Sequence, residues 1–192
     1  MGITPTYGKD VIRINGIITY GSYYGATKRY AQALAERLDW QACPFDSMDT
    51  LEPFDTVIHM GGLYAGNVTG LKAVTKKLPP NAVLFVVTVG LADGSLPKQH
   101  ANICSMVRRQ VPPEFYDEQR IVTLRGSMDY DKLSGKHKAM MSVLYQVLRM
   151  RGKKRTPEED QMLETRRHPV DYTDLDALSA VETAVQALAQ KK

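Results

Sequence analysis

The stretch Tyr20-Gly21-Ser22-Tyr23-Tyr24-Gly25-Ala26-Thr27 joins two segments of opposite character. Before it runs Gly16-Ile17-Ile18-Thr19, short, apolar and rich in β-branched residues, as a buried strand requires. After it, residues 28–38 place Tyr30, Ala31, Leu34, Ala35 and Leu38 at helical spacing. A strand, a tight turn and a helix make the first half of a βαβ unit. Gly21 and Gly25 let the turn bend sharply and come close to a ligand. Ser22 and Thr27 add hydroxyl donors beside the unpaired N–H groups and positive dipole end of the helix start, which attract an anion. The stretch has neither Gly-Lys-Ser/Thr nor G-x-G-x-x-G, so it fits neither a nucleoside triphosphatase loop nor a dinucleotide turn. A terminal monophosphate is the better guest. A plain strand-to-helix turn with a cap is the alternative on the motif alone.

Outward from this turn the same alternation repeats. Strands are expected near residues 41–45, 56–60, 82–88 and 120–126, with helices over 69–77 and 99–110 between them. Ala82-Val83-Leu84-Phe85-Val86-Val87-Thr88 is continuously apolar rather than alternating, as when helices cover both faces of a parallel strand. The pattern predicts an α/β fold, a doubly wound parallel sheet of five strands within a single domain over residues 1–192. Ligands bind such sheets beyond the carboxyl ends of the strands. Glycine-bearing loops follow Tyr20, Met60 and Thr88, at three such ends.

The chain after residue 126 is longer than closing the sheet requires. Residues 127–168 read as a helical insertion holding helices at 137–150 and 157–166, before a last helix at 175–189 capped by Thr173 or Asp174. In the first inserted helix Met140, Met141, Leu144, Val147 and Leu148 form one apolar face, widened by Val143 and Met150. That face packs on the sheet, or it lines a greasy substrate site, a homodimer contact or a membrane-touching surface, with the basic residues of 136–155 near anionic head groups. Residues 1–15 form an N-terminal extension: Asn15-Gly16 between apolar flanks suits a hairpin over residues 11–18, and a leader before the first core strand is the alternative.

With 192 residues, 43% hydrophobic and 24% charged, the chain can bury a core large enough to fold without disulfides or metals. Its two cysteines, Cys43 and Cys104, have no metal-like spacing and read as reduced structural thiols, so no metal is expected. The net charge of +4 is concentrated between residues 132 and 167. This basic stretch reads first as a solvated face, and nucleic acid is not expected as a partner. With no secretory signal and no apolar run of spanning length, a cytoplasmic protein is expected, with peripheral contact at the inner face of the membrane as the further option.

Ser22-Tyr23-Tyr24-Gly25-Ala26-Thr27 resembles the flavodoxin phosphate loop, Ser/Thr-x-Thr-Gly-x-Thr, set between a strand and a helix as in that family. The run from Asp55 to Gly66 looks like the family's third strand and first flavin-flanking loop, and Val87-Thr88-Val89-Gly90-Leu91 falls at the second. The resemblance implies strand order 2-1-3-4-5 and bound flavin mononucleotide (FMN). The phosphate would lie on Ser22, Tyr23, Tyr24, Gly25, Ala26 and Thr27. The ring would lie between Gly62, Leu63, Tyr64, Ala65, Gly66 and Asn67 on one side and Val89, Gly90, Leu91 and Asp93 on the other. Tyr64 is then the natural aromatic neighbour of the ring, and Tyr24 stands where flavodoxins usually carry threonine. Trp40 precedes the second strand, away from this site.

Within the superfamily the late segment looks most like the bacterial quinone-dependent protoporphyrinogen IX dehydrogenase group. Leu124-Arg125-Gly126-Ser127-Met128-Asp129-Tyr130, the Met-rich helix and Val170-Asp171-Tyr172-Thr173-Asp174 carry that likeness. It implies an oxidoreductase that takes electrons from a reduced substrate and passes them to a quinone. The rivals are an electron carrier between redox proteins and an FMN-less binding module. Carrier flavodoxins are typically acidic, whereas this chain has a pI near 9.0. His59 reads as a packed core histidine; His100 and His137 read as acid–base candidates or surface residues.

Overall fold

The structure, a computed structural model, describes residues 14–189. The start of the hairpin expected over residues 11–18 lies outside them, and Gly16 onward is already core strand.

Five parallel strands form the main sheet: β1 (Gly16–Gly21), β2 (Gln41–Pro44), β3 (Thr56–Tyr64), β5 (Val83–Gly90) and β6 (Ile121–Arg125), in spatial order β2-β1-β3-β5-β6. Among the parallel strands alone this is order 2-1-3-4-5, as expected. In register, Ile18 pairs with Ile58 and Ile58 with Phe85. Successive side chains therefore leave the sheet on opposite faces. Ile17, Val57, Leu84 and Val86 pack under α2 (Leu71–Thr75) and α3 (Pro97–Arg108). Ile18, Ile58, Met60, Phe85 and Val87 pack under α1 (Ala26–Leu38) and α6 (Ser179–Ala189), which contribute Tyr30, Leu34, Val181 and Val185. Two covered faces explain the unbroken apolar runs of the central strands.

Several boundaries differ from expectation. β3 continues through Gly61, Gly62, Leu63 and Tyr64, which read as loop, and folds back through a two-residue turn into β4 (Asn67–Val68). Ala65 and Gly66 both have positive φ, 49° and 76°, the geometry of a tight hairpin turn. The glycines that suggested a loop are there because the returning chain and the Tyr64 ring lie close by: a Cβ on Gly61 would meet the Thr69 carbonyl oxygen at 2.8 Å, and one on Gly62 would meet the Tyr64 ring at 2.6 Å. α2 is shorter than residues 69–77, and α6 begins only after a 3-10 turn at Asp176–Leu178. Asp174 caps that turn, accepting from the Asp176 N–H at 2.9 Å.

The inserted segment builds its own small layer. β7 (Ser127–Met128) pairs antiparallel with β8 (Val170–Asp171), so the two stretches that carried the late resemblance meet. Between them run α4 (Gly135–Met150) and α5 (Pro157–Glu164). Leu133, Met141 and Tyr145 form a third apolar cluster with Tyr24, Met128, Tyr130, Met162 and Leu163. α4 thus does not pack on the sheet, whose two faces are already covered by the other helices. No helix among the described residues is long and apolar enough to cross a membrane.

Candidate functional site

The carboxyl ends of the central strands open into a cleft of about 590 Å³, floored by the turn after β1 and walled by the hairpin after β3, the loop after β5 and helix α4. At the floor, α1 starts from Gly25 with φ of 97°, a left-handed conformation that suits glycine. The Ser22 hydroxyl accepts the Gly25 N–H at 3.1 Å and locks the turn. No side chain caps α1 and no acidic residue occupies its first turn, so its N-terminal N–H groups carry no competing carboxylate. Thr27 is almost wholly buried and lines the cleft with Ser22. This donor set fits a terminal phosphate.

The hairpin that carries Tyr64 is held by a buried relay. His59 Nδ1 meets the Thr19 hydroxyl at 2.9 Å and its Nε2 meets the Thr69 carbonyl at 2.9 Å. The Thr69 N–H and hydroxyl then both donate to the Gly62 carbonyl at 3.0 Å. Burial pulls the His59 pKa down to about 4, so the ring is neutral and donates from Nε2 while Nδ1 accepts. His59 is a core histidine, as read, and it also anchors the hairpin. Burial first, and then the neighbouring Tyr24 and Tyr23, push the Tyr64 phenol up to about 12, so it stays neutral.

Tyr24 resolves its own anomaly. Its hydroxyl accepts the Ser134 N–H at 3.2 Å and meets His137 Nδ1 at 2.5 Å. The hydroxyl is thus shared between the Ser134 N–H and the His137 ring. A threonine could not reach that far; the tyrosine ties the turn after β1 to the start of α4. His137 also stacks on Tyr64, ring centroids 4.9 Å apart and planes within 3°, and Tyr23 meets both rings edge-on. On the opposite wall the Gly126 N–H donates to the Gly90 carbonyl at 2.7 Å, and Gln99 accepts the Asp93 N–H at 2.8 Å. Hydrogen bonds from Ser95 hold the Asp93 carboxyl below the usual carboxylate range.

Of the residues named from sequence, Ser22, Tyr24, Ala26, Thr27, Leu63, Tyr64, Ala65, Gly66, Val89, Gly90 and Leu91 line the cleft. Tyr23, Gly25, Gly62, Asn67 and Asp93 are not among the residues that line it. The lining also includes Gln99, Asn102, Ile103 and Met106 of α3, then Gly126, Ser127, Met128 and Leu133, and His137, Met140, Met141, Leu144 and Met162 of the insertion. The Met-rich pattern of α4 pointed to some of these; nothing in the α3 pattern marked which of its faces would reach the site.

Residues 17–156 match the flavodoxin domain. The chain belongs to the flavodoxin domain family. Membership supports FMN as the cofactor, and the uncapped α1 start with its two hydroxyls fits it. No curated protein matches this flavodoxin domain significantly. Among solved structures, a WrbA-like flavodoxin from Agrobacterium tumefaciens is 16% identical, with 91% of this chain and 99% of that chain covered and a TM-score of 0.46. A flavodoxin variant from Fusobacterium nucleatum bound to flavin mononucleotide is 15% identical, covering 62% and 72%, with a TM-score of 0.36. The flavodiiron core from Synechocystis sp. PCC6803 is 14% identical, with 58% of this chain covered and a TM-score of 0.39; the chain spans 30% of that protein's length.

Proposed function

We propose that this flavodoxin domain is an FMN-dependent oxidoreductase acting on a large apolar reduced substrate, protoporphyrinogen IX or a similar molecule, with a quinone as acceptor. One observation carries the reading: Met106, Met128, Met140, Met141 and Met162 all line the cleft, five of the nine methionines in the chain. Methionine walls adapt to large apolar ligands, and an electron carrier has no need of one. FMN, when bound, supplies the redox chemistry. The chain's own residues do the rest. Ser22, Thr27 and the α1 N–H groups hold the phosphate. Tyr64 and the loop at Gly90 flank the ring, while the insertion covers the cleft and excludes water. The same helix that walls the cleft turns Val143, Val147 and Met150 outward, beside Arg149, Arg151, Lys153 and Lys154. Such a face suits an anionic membrane that holds the quinone.

The test begins with the visible spectrum of the purified protein and an FMN titration. Replacing Ser22 and Thr27 together by alanine removes two hydroxyl bonds to a charged group, about 1.5 kcal/mol or more each. The FMN Kd is expected to rise on the order of 100-fold. Protein that is colourless and spectrally silent with FMN removes the flavin reading. FMN-loaded protein is then assayed for protoporphyrinogen oxidation with a menaquinone analogue, free or in anionic vesicles. No turnover in either form removes this substrate; equal turnover in both removes the membrane component.

A further inference from the structure

On the flank of α3 turned away from the cleft, three different donor types converge. His100 and Cys104 are four residues apart on the helix and so share one side of it. Glu118 comes from the 3-10 turn Glu118–Arg120 just before β6. Their nitrogen, sulfur and carboxylate ligand atoms all lie within 4.8 Å of one another. His100 Nε2 and Cys104 Sγ are already 3.4 Å apart.

We propose that His100, Cys104 and Glu118 form a binding site for a divalent metal ion of the zinc class. Bonds of about 2.3 Å to sulfur and 2.0–2.2 Å to nitrogen and oxygen imply ligand separations of roughly 3.3–3.7 Å in a tetrahedral shell. The histidine–cysteine pair meets that distance as it stands. Glu118 is exposed, so its carboxylate can close the remaining gap, of the order of 1 Å, without disturbing the core. A mixed sulfur, nitrogen and oxygen set favours zinc over calcium or magnesium, which take oxygen ligands. Cys104 is buried and Glu118 is on the solvent side, so the ion enters past the carboxylate and its fourth position is left to water. Tyr116 lies beside the set, its hydroxyl donating to the Cys104 carbonyl at 3.5 Å. The ion would fasten α3, whose other flank supplies Gln99, Asn102, Ile103 and Met106 to the cleft, to the start of β6. Cysteine spacing alone gave no hint of this, because the partners are a histidine one helical turn away and a glutamate on another element.

The site does not depend on bound flavin, so its test does not use activity. The full-length protein, freed of metal by chelator and dialysis, is titrated with zinc against a chromophoric chelator. The zinc-loaded form is then examined by X-ray absorption at the zinc edge. One zinc per chain is expected, with one sulfur at about 2.3 Å and nitrogen or oxygen neighbours at about 2.0 Å. Cys104→Ser should abolish the sulfur shell; Cys43 is the other cysteine of the chain, so the loss identifies the ligand. Glu118→Gln, at an exposed position where folding is not at stake, should raise the Kd at least about tenfold. A wild-type protein that takes up no zinc overturns the proposal, as does a zinc shell without sulfur or unchanged affinity in Glu118→Gln.

Discussion

The parallel sheet and the inserted layer of residues 127–168 meet at one cleft but are built on different terms. The sheet holds five strands in continuous ladders and buries two apolar layers against four helices. The insertion has a two-residue strand pair, one small cluster around Tyr145, and ion pairs on its surface such as Arg155–Asp160 and Arg151–Glu159. Exposed pairs of this kind contribute about 0–1 kcal/mol each. The contrast teaches a division of labour: a stiff frame fixes the floor of the cleft, and a more weakly held wall shapes what can enter above it.

The largest effect should separate the two regions. Leu34→Ala empties part of the layer between α1 and the sheet, where Leu34 is fully buried. It should lower global stability by about 3 kcal/mol, read as a shift of the urea midpoint. Tyr145→Ala removes an equally buried ring in the insertion, together with its hydroxyl contact to Thr165 at 2.9 Å. Its cost should appear as faster amide exchange in α4 and α5, with β3 and β5 still protected. Equal loss of protection in the sheet would show a single cooperative unit and break the comparison.

The next effect belongs to the frame alone. His59 is neutral when folded, with a pKa near 4 against 6.5 for the free side chain. The unfolded chain therefore binds more protons between those values, and stability falls as pH drops from 6.5 towards 4. The full loss is roughly 3 kcal/mol. The carboxyls held below their usual range, such as Asp93, Asp129 and Asp171, contribute only at lower pH. Urea midpoints measured between pH 7 and 5 should carry this loss, and His59→Gln should flatten that slope. A wild-type midpoint that does not move over this interval would refute the buried neutral ring.

How far the sequence foretold this arrangement follows the same division. Strands such as residues 82–88 were legible because burial on both faces forces an unbroken apolar run. The turn at residues 20–27 was legible because its glycines and hydroxyls serve local geometry. Gly61 and Gly62 misled, since Gly61 makes room for Val68 and Thr69 and Gly62 for the ring of Tyr64, contacts that no local pattern records. The insertion was visible as helices, but its packing was not. The apolar face of α4 is divided between a cluster with α5, the cleft wall and solvent, and a period of 3.6 residues cannot say which partner lies opposite. Asn102 and Met106 joined the site through the crossing of α3 over the sheet, again without local trace.

The smallest effect tests the joint between the two regions. Tyr24→Phe keeps the ring in the cluster with Leu133 and Met141 but removes the hydroxyl shared by Ser134 and His137. One lost hydrogen bond and one unsatisfied N–H at an exposed helix start should cost about 1 kcal/mol. The cost should fall on the first turn of α4, as faster exchange at residues 134–138, and should leave the urea midpoint of the sheet almost unmoved. FMN affinity should change far less than in the Ser22 and Thr27 double variant, because the turn keeps its own lock from Ser22 to Gly25. If Tyr24→Phe instead weakens FMN binding as much as that double variant, the phenol belongs to the phosphate floor and not to the strut that links it to the wall.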